Sequence, residues 1–218
     1  KFRDKNKNKL DANGVYSFDP NEIAGPYGYG AENYIGKGNL LSYRVYFENK
    51  DSATAPATDV VVYDTIDLKK LNHNTFSFGE IVIADSVFPV QAFAKSFSML
   101  IDLYPRIASV VRVAGNLDTS NGVISVTFNT LDRSTLDPNE DVDLGFLPPN
   151  KANSVGEANF SYTIGLKNTI KHGDVISNQG FIYFDQNKPI ATNIYSNEID
   201  IIAPSSSVNF LNSETTDS

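Results

Sequence analysis

Two short stretches place hard oxygen ligands beside a proline that fixes the backbone: Asp19-Pro20-Asn21-Glu22 near the front and Asp185-Gln186-Asn187-Lys188-Pro189-Ile190 near the end. Such groups suit calcium, which takes roughly six to eight oxygens at about 2.3–2.6 Å and commonly joins loops of a β-domain. Candidate metal ligands are therefore Asp19, Asn21, Glu22, Asp185 and Asn187. The alternative is metal-free: Asp19 and Asp185 accept backbone hydrogen bonds as Asx-turns next to proline. Residue types alone leave both open.

A second acidic run is Asp4, Asn6 and Asn8, followed by Asp11 and Asn13. The alternation matches the first, third and fifth ligand positions of a helix–loop–helix calcium loop. It departs where glycine should allow the sharp turn, because Lys9 stands there, and where the last carboxylate should be, because Val15 stands there. A solvated polar linker needs fewer assumptions. Further along, Asp64 and Asp67 lie three apart and admit a cation or a cap. A helix N-cap by Asp67 before Leu68-Lys69-Lys70-Leu71 is the simpler reading.

Tyr27, Tyr29 and Tyr34 fall in the Gly-rich run Gly25-Pro26-Tyr27-Gly28-Tyr29-Gly30. Exposed aromatic rings stack on sugar faces, and buried ones cover an open end of a core. The two histidines, His73 and His172, sit in turn-like contexts with no nucleophile elbow, so they read as surface residues. No motif points to catalysis, although any two of 26 acidic residues can converge as a glycosidase pair.

Around these candidates the apolar pattern has a period of two. Leu41, Tyr43, Val45 and Phe47 alternate with Ser42, Arg44 and Tyr46, as a half-buried strand requires. Comparable segments are Val60 to Tyr63, Phe76 to Ile83, Ser96 to Leu103, Ile107 to Val113, Val123 to Phe128, Phe160 to Leu166, Val175 to Phe184 and Glu198 to Ile202. Asn121-Gly122 favours positive φ and predicts a hairpin joining Ile107–Val113 to Val123–Phe128. Residues 131–153, with Pro138, Pro148 and Pro149, read as a long connection over one end. The expected fold is all-β, an antiparallel Greek-key, immunoglobulin-like sandwich of about ten strands. In that order Asp19, Asn21 and Glu22 are expected to meet Glu48, Asn49, Asp51, Asp185 and Asn187 at one pole.

Composition narrows the partners. With 18 Lys and Arg against 26 Asp and Glu, the formal net charge is -8, which disfavours nucleic acid and anionic lipid. No run approaches the roughly 20 apolar residues of a membrane span. The absence of cysteine removes disulfides, thiolate metal sites and thiol nucleophiles. The chain opens on Lys1 without an apolar leader, so a mature product or an excised piece is expected. Residues 1–16 are expected to be a linker or the end of a preceding module, 17–204 the sandwich, and 205–218 a linker to a following module.

Four ordered stretches carry a resemblance: Asp19-Pro20-Asn21-Glu22 with Gly25-Pro26 and Gly28; Tyr46-Phe47-Glu48-Asn49 with Thr54-Ala55-Pro56-Ala57; Gly145-Phe146-Leu147-Pro148-Pro149-Asn150; and Phe184-Asp185-Gln186-Asn187-Lys188-Pro189-Ile190. Over about residues 17–204 the chain resembles an immunoglobulin-like repeat domain of very large secreted, multidomain bacterial cell-surface proteins. The resemblance implies a non-catalytic extracellular module, structural or adhesive, set among neighbouring domains of the same chain and carrying no enzymatic activity of its own. Calcium would then be a stiffener. A carbohydrate-binding module centred on the three tyrosines, or an accessory domain of a secreted hydrolase, is the alternative, with a glycan or cell-surface ligand as partner.

Overall fold

The computed structural model describes residues 20–38, 40–139, 141–151 and 155–202. Thirteen strands form two packed antiparallel sheets and a separate two-stranded ribbon, with a single 3-10 turn at Val142–Leu144 and no α-helix among the described residues. One sheet contains β1 (Ile23–Ala24), β2 (Leu40–Glu48), β4 (Leu71–Ile83), β5 (Ser86–Pro89) and β9 (Glu157–Leu166), in the order β1-β2-β9-β4-β5. The other contains β3 (Asp59–Thr65), β6 (Ser96–Asp102), β7 (Val110–Leu117), β8 (Val123–Leu131), β11 (Gly180–Phe184) and β12 (Ile190–Ala191), in the order β12-β11-β3-β8-β7-β6. The ribbon pairs β10 (Val175–Asn178) with β13 (Tyr195–Glu198).

Strand alternation builds the core. Leu41, Tyr43, Val45 and Phe47 of β2 are buried, as are Phe160, Tyr162 and Ile164 of β9, opposite Val60 and Val62 of β3 and Ile124, Val126 and Phe128 of β8. Each such large side chain withdrawn from water contributes roughly 1.5–3 kcal/mol before entropy is counted. Aromatic contacts join the layers, since Phe47 of one sheet meets Phe128 of the other edge-on at 5.1 Å. Phe146, from the long connection, stacks on Phe128 at 5.6 Å and plugs that end. The connection is fixed there because Thr130 Oγ1 accepts from the Phe146 backbone N at 3.0 Å and donates to the Thr58 carbonyl at 2.7 Å.

The expected hairpin is present as β7–β8, and Gly122 takes φ 80° in its turn. The higher strand count comes from the short β1, β5 and β12 and from a break in the expected Val175–Phe184 strand. That segment splits at Gln179 into β10, which pairs with β13, and β11, which pairs with β3. The break is held by Thr192, whose Oγ1 accepts from Gly180 N at 2.9 Å. The registers define two poles. One holds the end of β2, the start of β3 and the ends of β8 and β11; the other holds Leu40, Thr65, Val123 and Gly180.

Candidate functional site

The first pole gathers the proline-flanked motifs. Asn21 is buried, and its Oδ1 accepts from the Glu48 backbone N at 3.4 Å, while the Glu22 carbonyl accepts from Tyr46 N at 2.8 Å. Glu22, Glu48 and Glu157 line one groove of about 450 Å³ with Pro20 and Tyr46. Asn187 lines a neighbouring depression with Glu48 and Asn49. Asp185 and Asn187 lie with Asn49 around a third. Asn21, Glu22, Glu48, Asn49, Asp185 and Asn187 thus share one end of the molecule, whereas Asp51 is exposed. Asp19, Asp4, Asn6 and Asn8 lie outside the described residues, as do segments 1–16 and 205–218.

The polar groups at this pole are engaged with other loops. Asp185 Oδ1 accepts from Thr58 N at 3.0 Å, Thr58 Oγ1 at 2.8 Å and Asp59 N at 2.9 Å, which pins the end of β11 to the start of β3. Its φ of 48° is a left-handed turn conformation that Asp tolerates better than most side chains. Asn49 Nδ2 donates to the carbonyls of Ala55 at 3.0 Å and Leu147 at 2.9 Å. Asn150 Nδ2 reaches Glu48 at 2.6 Å and Glu157 at 2.8 Å, two like charges that face each other across β2 and β9. An amide donor between opposed carboxylates offsets a repulsion that the register imposes. Among the described residues, no three His, Asp or Glu side chains gather so as to hold a metal ion.

A second cluster is buried between the sheets. Tyr162 Oη donates to Asp64 Oδ2 at 2.5 Å, and Asn178 Nδ2 lies 3.1 Å from the same oxygen and 2.5 Å from the phenol. Asp64 belongs to β3, Tyr162 to β9 and Asn178 to β10, so the cluster clasps both sheets and the ribbon. Burial pushes the Asp64 carboxyl up to about 6, against the opposing pull of its bonds to Tyr162 and Asn178. Burial also raises the Tyr162 phenol, helped by the Asp64 charge. Asp64 Oδ1 and Asn178 Oδ1 have no donor among the described residues. Asp67 stands apart from this cluster: its Oδ1 accepts from Lys69 N at 2.8 Å and caps a turn that runs straight into β4, not the helix expected there.

The third arrangement laces the two ends of the described chain together. Asn193 makes a two-way bond with the Ile23 backbone, at 2.9 and 3.1 Å. Tyr195 Oη donates to the Pro26 carbonyl at 3.1 Å, and Asn197 Nδ2 donates to the carbonyls of Pro26 at 3.0 Å and Asn33 at 2.9 Å. Asn33 Nδ2 donates to Tyr195 Oη and to the Ser196 carbonyl, both at 3.1 Å. Ile35 and Ile199 then form a parallel bridge, with Ile35 N on the Glu198 carbonyl and Asp200 N on the Ile35 carbonyl, each at 2.9 Å. The segments therefore run side by side in the same direction.

Within this lacing Tyr29 and Tyr34 close a small hairpin through reciprocal backbone bonds of 2.9 and 2.8 Å. Asn33 takes φ 55°, and its Oδ1 accepts from Gly28 N at 2.5 Å. Only glycine fits at position 28, because a Cβ there would collide with the Asn33 backbone. Of the three tyrosines, Tyr34 is partly covered, while Tyr27 is 96% and Tyr29 85% exposed. Glu198, partial burial, Glu32 and Asp200 together raise the Tyr34 phenol above its usual range. His172 Nδ1 lies 3.4 Å from Asp200 at the surface, and His73 sits in β4 with its Nδ1 unpartnered among the described residues.

The motifs offer Asp64 only with Asp67, as a cation or cap pair, and miss Tyr162, Asn178 and the residues of the lacing as site candidates. Period-two phase could have found the clasp, since Asp64 follows Val60 and Val62 on the inward side of β3 and Asn178 follows Ile176 in β10. Nothing local marks Asn193 or Asn197, because their partners lie more than 160 residues away.

A family model described as "Domain of unknown function (DUF7619)" matches residues 107–198. No curated protein matches the chain in sequence. Among solved structures, the collagen-binding domain of a Staphylococcus aureus adhesin superposes with a TM-score of 0.42 at 10% identity, covering 84% of this chain and 99% of that one. The N-terminal domain of the Streptococcus gordonii adhesin Sgo0707 gives 0.45 at 10% identity, covering 83% and 33%. The Corynebacterium diphtheriae major pilin SpaA gives 0.43 at 11% identity, covering 82% and 38%.

Proposed function

We propose that this domain is a non-catalytic, load-bearing module of a bacterial extracellular surface protein. The observation that carries the reading is the parallel lacing of the segment from Ile23 to Ile35 against the segment from Asn193 to Asp200. Tension entering before Pro20 and leaving after Ile202 pulls two neighbours that point the same way toward opposite ends. Their hydrogen bonds are then strained together in shear, whereas a peeled pair opens one bond at a time. The bonds at the first pole and the Asp64 clasp tie the loops and layers behind that seam, so the load passes into the whole sandwich.

The four-motif resemblance supports the surface setting, and the motif polar groups described above serve as loop ties. Pulling single molecules between their termini tests the mechanical part. The intact chain is expected to unfold at a clearly higher force than Asn33→Ala/Asn197→Ala, with forced unfolding read as a barrier and not as equilibrium stability. Equal forces for both proteins would end this reading. Protease accessibility of the domain on intact producing cells tests the address, and complete protection would count against it.

Calcium enters this proposal as an added brace at the pole shared by Asn21, Glu22, Asp185 and Asn187, where amide and backbone oxygens would supply most of its shell. A melting midpoint raised by millimolar calcium and lowered by chelator is expected. Equal midpoints in the two conditions would remove the ion and leave the Asp185 and Asn49 hydrogen bonds as the ties at this pole.

A further inference from the structure

The tyrosine hairpin is rigid and its two outermost rings cover nothing. Tyr27 and Tyr29 stand almost wholly in water, yet the loop that presents them is fixed by Asn33, Tyr195 and the buried Asn197. A core lid would hide its rings, as Tyr34 partly does. Exposed aromatics on a pre-ordered backbone fit a binding surface, because the ordering entropy is spent in folding and not at the moment of contact.

Carboxylates gather around Tyr34, whose backbone pairs with that of Tyr29. Glu32 lies over the turn, its Oε2 being 3.8 Å from where a Cβ on Gly30 would stand, and its carbonyl accepts from Glu198 N. Asp200 is bonded to Ile35, next to Tyr34. Among neighbouring basic side chains, Lys37 Nζ donates to the Asn168 carbonyl and Arg44 bonds Asn159 and Glu80, while His172 faces Asp200 and leaves Glu32 and Glu198 to the tip. Tyrosine faces and carboxylates together attract a cation more than a neutral or anionic group, through ring quadrupole and charge. We infer that this tip docks an extended, Lys- or Arg-bearing peptide segment of a partner protein, with Tyr27 and Tyr29 as its platform and Glu32 and Glu198 as its counter-charges. The elevated Tyr34 phenol reports the same local negative potential. This goes beyond the load-bearing role and does not depend on it.

The test is binding of a labelled peptide of alternating arginine and glycine to the full chain, at low and high salt. Saturable binding that weakens with salt is expected, falling about tenfold or more in Tyr27→Ser/Tyr29→Ser and in Glu32→Gln/Glu198→Gln. Asp137→Asn, at the opposite pole, should bind as the parent does. Unchanged melting midpoints in the tyrosine variant establish that a loss is not misfolding. Absent binding, or equal binding by the tyrosine variant, overturns the proposal while leaving the pulling experiment untouched. Retention of a neutral glycan that the same tyrosine variant loses, without peptide binding, assigns the tip to sugar and likewise overturns it.

Discussion

Asp64 carries the clearest pH signature of any single side chain here. Its carboxyl is raised to about 6 by burial, so the folded state holds a proton over a range where the unfolded chain has released it. The resulting stabilisation is full below the unfolded value near 4 and is lost as pH rises through about 6. The full span is on the order of 3 kcal/mol, and about half of it, a melting shift of roughly 3–6 °C, falls between pH 8 and pH 5. Asp64→Asn should flatten that dependence, read as the pH profile of the parent minus that of the variant. An unchanged profile would mean the carboxyl titrates normally. Asn33 offers a second test: Asn33→Ala removes bonds to Tyr195, Ser196 and Gly28 and leaves alanine at φ 55°, a loss of about 2–3 kcal/mol by denaturant unfolding.

At the scale of elements, Asp185 separates acceptor from backbone. Asp185→Gly keeps the left-handed turn between β11 and β12 but removes the acceptor for Thr58 and Asp59, and about 1–2 kcal/mol should be lost in urea unfolding. Equal stability of Asp185→Gly and the parent would show that the turn conformation alone matters. Most strands were legible because period two is a local signal. Leu41, Tyr43, Val45 and Phe47 face inward as their spacing requires, and Asn121-Gly122 makes its turn. The break at Gln179 was not legible. The apolar run continues across it, and only the tertiary partner Thr192 decides that β10 and β11 join different strands.

For the molecule as a whole, the sandwich and the shared pole of Asn21, Glu48, Asn49, Asp185 and Asn187 follow from strand order, which a sequence encodes through turns and alternation. The lacing was invisible for the opposite reason. Asn193 and Asn197 are ordinary polar residues in a late segment, and their meaning arises only when Ile23, Pro26 and Asn33 arrive beside them. Contacts of this sequence separation also make assembly slow relative to local structure.

That seam gives the fold a built-in last step. A chain still emerging from its ribosome lacks Asn197 and Ile199, so the segment from Ile23 to Ile35 has nothing to close against and the sandwich is finished only when the segment from Asn193 to Asp200 arrives. A protein ending at residue 192 should show strand content without a sharp cooperative melt, and adding back residues 193–202 should restore it. Such a molecule stays pliable until that late segment docks and becomes stiff once it has.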